Sequence, residues 1–430
     1  MANVPKKACP ANYAWSCFEL SGEGFSVKVL RNVNSVVKKM QARFETRRHL
    51  KFIQNHATEL RHLPVGADRY KVALHFPDEM ANAYQIRQWY EPLLALAEFV
   101  PVVIIVRSPD TALSLRKECP LPIHFAPGVQ DVERFMRSQD LRVVFYVNQN
   151  IRNFQIMRFN APNHVFICHG ESEKAYMWSN QLKAYDYVFS AGEAARDRLV
   201  NHLRNFDASL RCRLIGRPQI DVDYASPVDL NKELPTLLYA PTWEGDRPSM
   251  NYGSVLSHGE QLIDALIKDG GFNVIFRPHP RSGLGAKPYG QGVERIRKQL
   301  RAHNETSAAQ FIFDDSTHWG WQWSAADLCV TDISAVAYDF LATGKPMFVT
   351  QPVSTEATVD ESPALQQVPA LTVAAATEIS RLAREALAGS NPQLRGLVNY
   401  YFGDVSPGAS MQRFIAETLA LVQEDSVTDH

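Results

Sequence analysis

Two histidines stand at positions where an imidazole could act on a hydroxyl or a phosphate group. His169 follows the apolar run HVFIC (164–168), and Gly170 after it would allow a sharp backbone turn. Histidine suits general-base catalysis near neutral pH because its unperturbed pKa is about 6.5. A histidine that only caps a turn would look the same in the sequence, so this position alone leaves both interpretations open.

The second histidine, His279, lies in the segment FRPHPRSG (276–283), which also continues an apolar run. Prolines on both sides of His279 fix the backbone, and Arg277 and Arg281 flank it. Guanidinium groups bind phosphate oxygens in a bidentate manner. The combination therefore indicates phosphate chemistry more than an ordinary charged surface turn.

Two further segments place polar residues where an apolar run stops. In LYAPTWEGDR (238–247) they form either a donor-binding loop or an exposed loop whose tryptophan packs onto the domain. In VTDISAVAYDFLATGKP (330–346) they end a strand and open a helix, where they could bind a phosphate or only cap the helix. The candidates are Thr242, Trp243, Glu244, Asp246, Thr331, Asp332, Ser334 and, before the next strand, Lys345.

Several common kinds of active site are missing from the sequence. It contains no GxGxxG, GxxxxGK[ST], GxSxG or HExxH motif, which disfavours P-loop hydrolysis and dinucleotide redox chemistry. None of the six cysteines forms a CxxC pair, and no group of metal ligands has suitable spacing. We therefore expect neither a bound metal nor a cofactor.

The elements that must position these residues alternate between strands and helices from about Tyr70 onward. Continuous apolar runs separated by helical segments are typical of parallel sheets covered on both faces. With 430 residues, the chain is long enough for two such domains. The strands are predicted within 71–76, 101–107, 122–127, 142–148, 164–168, 185–191, 236–242, 273–280, 310–315, 327–332 and 345–350, with helices at 82–99, 129–138, 260–268, 292–303, 335–343 and 410–423 and a linker at 216–235.

The segment 26–56 is strongly basic and has apolar residues at helical spacing, which predicts a basic amphipathic helix. It would either expose a solvated basic face or lie on anionic lipid. The net charge is -1, and the basic residues lack interleaved aromatic residues, so a nucleic acid is not expected as a partner. No stretch approaches the roughly 18 consecutive apolar residues of a membrane span, and the first residues lack the apolar core of a signal peptide.

Taken in order, HG after a strand, YAPTW, RPHP and TDISAVAYDFLATGKP resemble the CDP-glycerol glycerophosphotransferases of teichoic-acid and capsule synthesis. The resemblance covers about residues 140–360. It implies an α/β, GT-B-like fold with two Rossmann-type, doubly wound parallel-sheet domains that face a central cleft. The implied organisation is an N-terminal extension with the basic helix (1–65), an acceptor-side domain (66–220), a nucleotide-donor domain (221–409) and a C-terminal helix (410–430) that could pack back on the acceptor-side domain.

The resemblance also implies the chemistry. The donor would be CDP-glycerol or CDP-ribitol, and the acceptor would be linked to a prenyl diphosphate at the cytoplasmic face of the cell membrane, where the protein would bind peripherally. His169 and His279 match the catalytic histidines of the family. The remaining candidates would bind substrate: Gly170, Thr242, Trp243, Glu244, Asp246, Arg277, Arg281, Thr331, Asp332, Ser334 and Lys345.

The sequence departs from the family at two places. Ala335 replaces a serine, so one hydroxyl contact to the donor phosphates would be missing, and ESEKAYMW (171–178) replaces a Thr-Pro-Leu-Lys stretch, which would alter acceptor or polyol specificity. Two other functions remain open at this stage. One is a sugar-nucleotide glycosyltransferase on the same fold, and the other is a membrane-surface scaffold without enzymatic activity.

Overall fold

The computed structural model describes residues 47–48, 50–61, 69–173, 175–357, 367–389 and 391–424. The chain divides into two compact units, residues 1–59 and 60–430. Residues 50–55 of the first unit are helical, but most of the predicted basic helix lies outside the described residues and stays a prediction. Both sheets belong to the second unit.

The first sheet has seven parallel strands whose central members are mostly apolar. Side chains on both faces of these strands are buried, as the continuous apolar runs predict. The strand order is β3-β2-β1-β4-β5-β6-β7, so the chain reverses direction across the sheet between β1 and β4. The strands are β1 (Val72–Phe76), β2 (Val102–Val106), β3 (Ile123–Phe125), β4 (Val143–Tyr146), β5 (Asn163–Phe166), β6 (Tyr187–Ser190) and β7 (Cys212–Leu214).

Helices connect the strands of the first sheet. The long helix predicted at 82–99 is instead three short pieces: a 3-10 turn (Met80–Asn82) and two α-helices (Tyr84–Arg87 and Tyr90–Ala97). The helix at 129–138 is present as predicted. The helices are α1 (Ala57–Arg61), α2 (Tyr84–Arg87), α3 (Tyr90–Ala97), α4 (Pro109–Glu118), α5 (Val129–Ser138), α6 (Glu193–His202) and α7 (Ala208–Arg211).

The second sheet has six parallel strands in the order β10-β9-β8-β11-β12-β13. Here the chain reverses direction between β8 and β11, which makes this sheet doubly wound as well. The strands are β8 (Thr236–Ala240), β9 (Asn273–Phe276), β10 (Phe311–Phe313), β11 (Leu328–Thr331), β12 (Met347–Thr350) and β13 (Ala370–Leu371). The helices are α8 (Glu260–Asp269), α9 (Lys287–Asn304), α10 (Trp321–Ala325), α11 (Ala335–Leu341), α12 (Val373–Ala376), α13 (Ile379–Ala388), α14 (Pro392–Phe402) and α15 (Ala409–Gln423).

The prediction of two doubly wound parallel-sheet domains is confirmed. The C-terminal helix α15 returns to the first sheet, where the ring of Phe414 lies 5.4 Å from that of Trp89 and 5.7 Å from that of Phe145. The predicted domain limits themselves stay a prediction. None of the described helices combines the length and the apolar character needed to cross a membrane.

In doubly wound sheets, ligands bind beyond the carboxyl ends of the strands, next to the point where the strand order reverses. In the first sheet that point lies beyond β1 and β4, and in the second beyond β8 and β11. Candidate residues should therefore be sought in the loops that follow these strands and their neighbours.

Candidate active site

The turn after β5 holds His169 in a defined orientation. Cys168 has a left-handed backbone conformation (φ 54°), which is unfavourable for a residue with a side chain and tends to occur at functional sites. Its carbonyl oxygen accepts a hydrogen bond of 2.7 Å from the indole N–H of Trp89, which helps to hold this conformation. The sharp turn predicted at Gly170 is therefore made by Cys168, because Gly170 itself does not adopt a positive φ.

The imidazole of His169 has a defined tautomer. Its Nδ1 lies 2.7 Å from the carbonyl oxygen of Val147, which can only accept a hydrogen bond. Nδ1 must therefore carry the proton, and in the neutral ring the lone pair is on Nε2. The geometry gives His169 the form that a general base requires.

The loop after His169 is tied down by charged residues that the sequence did not reveal as functional. Arg198 on α6 pairs with Glu171, and its other terminal nitrogen lies 2.6 Å from the carboxylate of Glu173. The hydroxyl of Tyr401 on α14 donates to Glu173 over 2.7 Å. This part of the divergent stretch 171–178 is therefore fixed by buried ion pairs.

A cavity of about 420 Å³ lies beside His169. Its lining includes Asp78 from the loop after β1 and Asn148, Gln149 and Asn150 from the loop after β4. Sequence reasoning missed these residues, although they also follow apolar strands. The cavity is located at the reversal point of the first sheet, as the rule for parallel sheets predicts.

The loop after β9 places His279 next to an aromatic and a cationic side chain. The backbone N–H of Arg281 donates to His279 Nδ1 over 3.1 Å, so the neutral ring carries its proton on Nε2. The guanidinium of Arg281 lies 3.9 Å from the centre of the Trp243 ring, and the rings of His279 and Trp243 stack at 6.4 Å. The structure thus brings together three of the predicted residues.

Glu244 organises this loop through hydrogen bonds to its backbone. Its carboxylate accepts from the N–H groups of Gly283, Gly285 and Ala286 at 2.8–2.9 Å. Burial acts to raise the pKa of Glu244, but these N–H groups outweigh it and the pKa is lowered. Glu244 therefore acts on the position of the loop, whereas the sequence predicted a substrate contact.

Two predicted contacts after β11 are wrong, because the side chains are completely buried. The hydroxyl of Thr331 donates to the carbonyl of Ala240 over 2.8 Å. Asp332 accepts from the N–H groups of Thr242 and Ser254 and from the hydroxyl of Thr350. Burial raises the pKa of Asp332 to about 6, against the effect of these hydrogen bonds.

Lys345 is also not part of the site. Its ammonium donates to the carbonyl oxygens of Trp323, Ser324 and Ala326 at 2.7–3.3 Å, at the end of α10. Because Lys345 precedes β12, it lies at the amino end of the strand, away from the edge where the other candidates are found. The predicted phosphate contact of Lys345 is therefore wrong.

The other predicted contacts have different surroundings. Arg277 pairs with the buried Asp314, and Asp246 is exposed with Arg247 3.6 Å away. The Ser334 hydroxyl precedes α11, is buried, and has no hydrogen-bond partner among the residues that the structure describes. Thr242 is partly exposed, and its carbonyl accepts from the hydroxyl of Tyr289 over 2.6 Å.

The two sheets meet at residues close to the candidate site. A Cβ atom added to Gly170 would lie 3.6 Å from the Cβ of Ala335, the first residue of α11. Arg217, just beyond β7, has a terminal nitrogen 2.8 Å from the carboxylate of Asp339 on α11, and both side chains are buried. The loop of His169 and the helix that follows β11 are therefore neighbours.

Within the described part of the chain, no group of three or more His, Cys, Asp or Glu residues is arranged to hold a metal ion. The described cysteines are free thiols: Cys119, Cys168, Cys212 and Cys329.

Residues 168–354 match the family model described as CDP-Glycerol:Poly(glycerophosphate) glycerophosphotransferase. The match begins at the His169 turn and includes the loops after β8, β9 and β11. Over these residues, the chain is similar to the CDP-glycerol glycerophosphotransferases. A comparison of the chain with curated proteins finds no match.

Solved structures share the fold of the chain at low sequence identity. The wall teichoic acid polymerase TagF has a TM-score of 0.54 and 12% identity, over 81% of this chain and 90% of that chain. A variant of TagF soaked with CDPG has a TM-score of 0.55 and 12% identity, over 90% and 98% of the two chains. A UDP-N-acetylglucosamine 2-epimerase has a TM-score of 0.52 and 14% identity, over 84% and 100%. Because the same fold serves transferases and epimerases, these similarities establish the architecture alone.

Proposed function

We propose that the protein transfers a polyol phosphate, glycerol phosphate in the first instance, from CDP-glycerol to a hydroxyl of a prenyl-diphosphate-linked acceptor. CMP is the leaving group, and the product extends a teichoic-acid or capsule-like polymer. CDP-ribitol is the alternative donor. The observation that carries the proposal is the orientation of His169, which lies within the family-matched region, lines a cavity and donates from Nδ1 to the carbonyl of Val147.

In the proposed reaction, an acceptor hydroxyl attacks the phosphorus that carries the polyol. The bond from this phosphorus to the oxygen shared with CMP breaks, and CMP leaves with the bonding electron pair. The hydroxyl proton goes to Nε2 of His169, since Nδ1 is already protonated by its bond to Val147. The leaving group is a stable phosphate anion, so it requires charge stabilisation more than a strong acid.

Residues in the loops that follow strands of the second sheet would supply that stabilisation. His279 and Arg281 follow β9, and the Nε2–H of His279 and the guanidinium of Arg281 are hydrogen-bond donors that suit diphosphate oxygens. The buried hydroxyl of Ser334 lies at the end of β11, next to the Ala335 contact with Gly170. We expect the two histidines to act on one diphosphate from opposite sides.

The acceptor and the site of action belong to the same proposal. A prenyl-linked acceptor is held in a membrane, so the enzyme would bind peripherally to the inner face of the cell membrane. The basic residues of segment 26–56 support this expectation, because each would add about 1 kcal/mol of attraction to an anionic lipid surface.

A donor panel tests the proposal. Purified protein is given a short synthetic prenyl-diphosphate acceptor with CDP-glycerol, CDP-ribitol or a UDP-sugar, and nucleotide release and product mass are measured. We expect release of CMP and a mass increase of one or more glycerol phosphate units. Release of UDP with transfer of a sugar would establish the glycosyltransferase alternative. Absence of turnover with every donor, together with binding to anionic vesicles, would favour a scaffold.

A further inference from the structure

The cavity beside His169 has a second wall made of linked carboxylate and amide groups. The carboxylate of Asp78 accepts from the side-chain amides of Asn148 and, over 2.8 Å, of Asn150. The amide of Asn148 also donates to the side-chain oxygen of Gln85 over 2.8 Å. Asn148 and Gln85 are buried, with 6% and 8% of their surface exposed, so their amides are held in fixed positions. This set, the Asp78 cluster, consists of Asp78, Gln85, Asn148 and Asn150.

The Asp78 cluster retains hydrogen-bonding capacity toward the cavity. A carboxylate offers about four acceptor sites, and the two amides use two of those of Asp78. A hydroxyl group both donates and accepts, so it can donate to the carboxylate and accept from an amide at the same time. A mixed carboxylate and amide surface of this kind suits an uncharged polyol.

The charges around the cavity argue against a phosphate at this wall. Asp78 contributes a negative charge, whereas the nearby Glu171 is compensated by its ion pair with Arg198. Among the described residues that line the cavity, none is a lysine or an arginine. A phosphate would be repelled from Asp78, so the uncharged end of an acceptor is the part that fits here.

The same cavity contains the Asp78 cluster and residues from the loops that follow strands of both sheets. His169 is part of its lining, and so is Ala335, the first residue of α11 in the second half of the molecule. A polyol bound to the cluster therefore lies next to His169, the proposed base, and close to the contact between the domains of the first and second sheets.

We infer that the Asp78 cluster binds the terminal polyol of the acceptor through the hydroxyl next to the attacking one. This inference rests on the proposed function. The cluster would thereby place one primary hydroxyl at His169 and select acceptors that carry a second hydroxyl beside it. A site that hydrogen-bonds a substrate hydroxyl discriminates against the analogue that lacks it, because its own buried polar groups are left without partners.

The test compares two soluble acceptors, one ending in glycerol phosphate and one ending in propane-1,3-diol phosphate, which lacks the secondary hydroxyl. With CDP-glycerol as the donor, we expect the wild-type kcat/KM to be about 10- to 100-fold higher for the glycerol acceptor, the effect of one hydrogen bond to a charged group. Asp78→Ala should raise the KM for the glycerol acceptor by a similar factor. It should also reduce the preference between the two acceptors to near unity, with the KM for CDP-glycerol within about twofold of the wild type.

A second variant and a control variant complete the test. Asn150 also caps a 3-10 turn by accepting from the N–H of Arg152, and Asn150→Ser keeps a capping oxygen while it removes the amide. It should lose acceptor preference in the same way, and it carries the test if Asp78→Ala fails to fold. The control is Asp110→Ala, at an exposed position on α4, which should behave as wild type. The inference is overturned if the wild type uses both acceptors equally, or if Asp78→Ala and Asn150→Ser both keep the full preference for the glycerol acceptor. Either result leaves the proposed function standing. Failure of the wild type to consume either CDP-glycerol or CDP-ribitol overturns the proposed function, and the inference with it.

Discussion

The proposed role of His169 depends on one hydrogen bond that fixes its tautomer. The carbonyl of Val147 can bind only a protonated Nδ1, so the neutral ring always presents an acceptor at Nε2. His279 is arranged in the opposite way, because its Nδ1 accepts from the backbone N–H of Arg281 and its Nε2 carries the proton. One imidazole is thus poised to accept a proton, and the other is poised to donate a hydrogen bond to an anion.

We expect His169→Ala and His279→Ala each to lower kcat for glycerol phosphate transfer by about 10²–10⁴-fold. That range is typical of the loss of proton transfer by a positioned side chain. CMP release at saturating CDP-glycerol and acceptor measures the effect, and circular dichroism confirms that the variants are folded. The matched control is His318→Ala, at an exposed position. Transfer close to the wild-type rate by either active-site variant would remove that histidine from the mechanism.

Asp332 makes the stability of the protein depend on pH. Its pKa is about 6 in the folded protein, raised from 3.8, so the folded state favours the protonated carboxyl. Between these two values the folded protein binds more protons than the unfolded chain, and stability therefore falls as the pH rises through this range. Above pH 6 the loss amounts to about 3 kcal/mol.

We expect Asp332→Asn to remove this part of the pH dependence. The amide has nearly the same shape as the carboxyl group. Its oxygen can accept from the N–H groups of Thr242 and Ser254, and its nitrogen can donate to the hydroxyl of Thr350. Urea unfolding of both proteins at several values between pH 4 and 7 gives the difference in the free energy of unfolding. That difference should change by up to about 3 kcal/mol in favour of the variant as the pH rises. Parallel curves would show that Asp332 does not titrate in this range.

At the scale of elements, the loop 277–286 is an irregular connection whose shape comes from one carboxylate. Glu244, in the loop after β8, satisfies the N–H groups of Gly283, Gly285 and Ala286 in the loop after β9. A glutamine has one acceptor oxygen and one donor nitrogen, so it would leave at least one of these N–H groups facing another donor. The loop that holds His279 would then lose its fixed position.

We expect Glu244→Gln to raise the KM for CDP-glycerol by about 10-fold or more, the effect of losing one hydrogen bond to a charged group. The KM for the acceptor should change much less, because the Asp78 cluster lies in the other half of the molecule. Steady-state kinetics with each substrate varied in turn makes the comparison. The control is Glu305→Gln, at an exposed position, which should leave both constants unchanged. An equal rise in both constants would instead indicate a general loss of structure.

In the molecule as a whole, the domains of the first and second sheets are connected by an ion pair between two buried side chains. The side chains of Arg217 and Asp339 are only 5% and 6% exposed, and the guanidinium also donates to Gln88 over 2.8 Å. Burial raises the pKa of Asp339, and Arg217 opposes this effect. Removal of one partner from such a pair leaves a buried charge without compensation, which is usually more costly than removal of both.

We expect Asp339→Ala to lower the free energy of unfolding by about 3–5 kcal/mol. The double variant with Arg217→Met and Asp339→Leu should lose clearly less than the sum of the two single changes. Urea titration measures the wild type, Asp339→Ala, the single variants Arg217→Met and Asp339→Leu, and the double variant. Glu294→Gln, which breaks an exposed pair with Arg297, should change stability by less than about 1 kcal/mol. Strict additivity in the double variant would show that Arg217 and Asp339 do not interact.

The class of fold and most of the strands follow from the pattern of residues along the chain. Continuous apolar runs specify strands that are buried on both faces, and this information is local, so it can be read without knowledge of the partners of each strand. The strand β13 was not predicted because it has only two residues, and β7 was not predicted because a charged residue, Arg213, interrupts its three residues. The helix predicted at 82–99 is interrupted because helical periodicity does not show where tertiary packing breaks a helix.

Which polar residues face the cavity and which stabilise the fold depends on contacts between segments that are distant in the sequence. Thr331 and Asp332 lie close to Ser334 in the sequence, yet both are completely buried and stabilise the fold through hydrogen bonds. Lys345 lies at the amino end of its strand, opposite the edge where the other candidates are found. Conversely, Asp78 and Asn150 are far apart in the sequence and meet only because β1 and β4 are neighbours in the sheet. Strand order is a property of long-range pairing, so the direction and the partners of a strand-end side chain cannot be inferred from the residues around it.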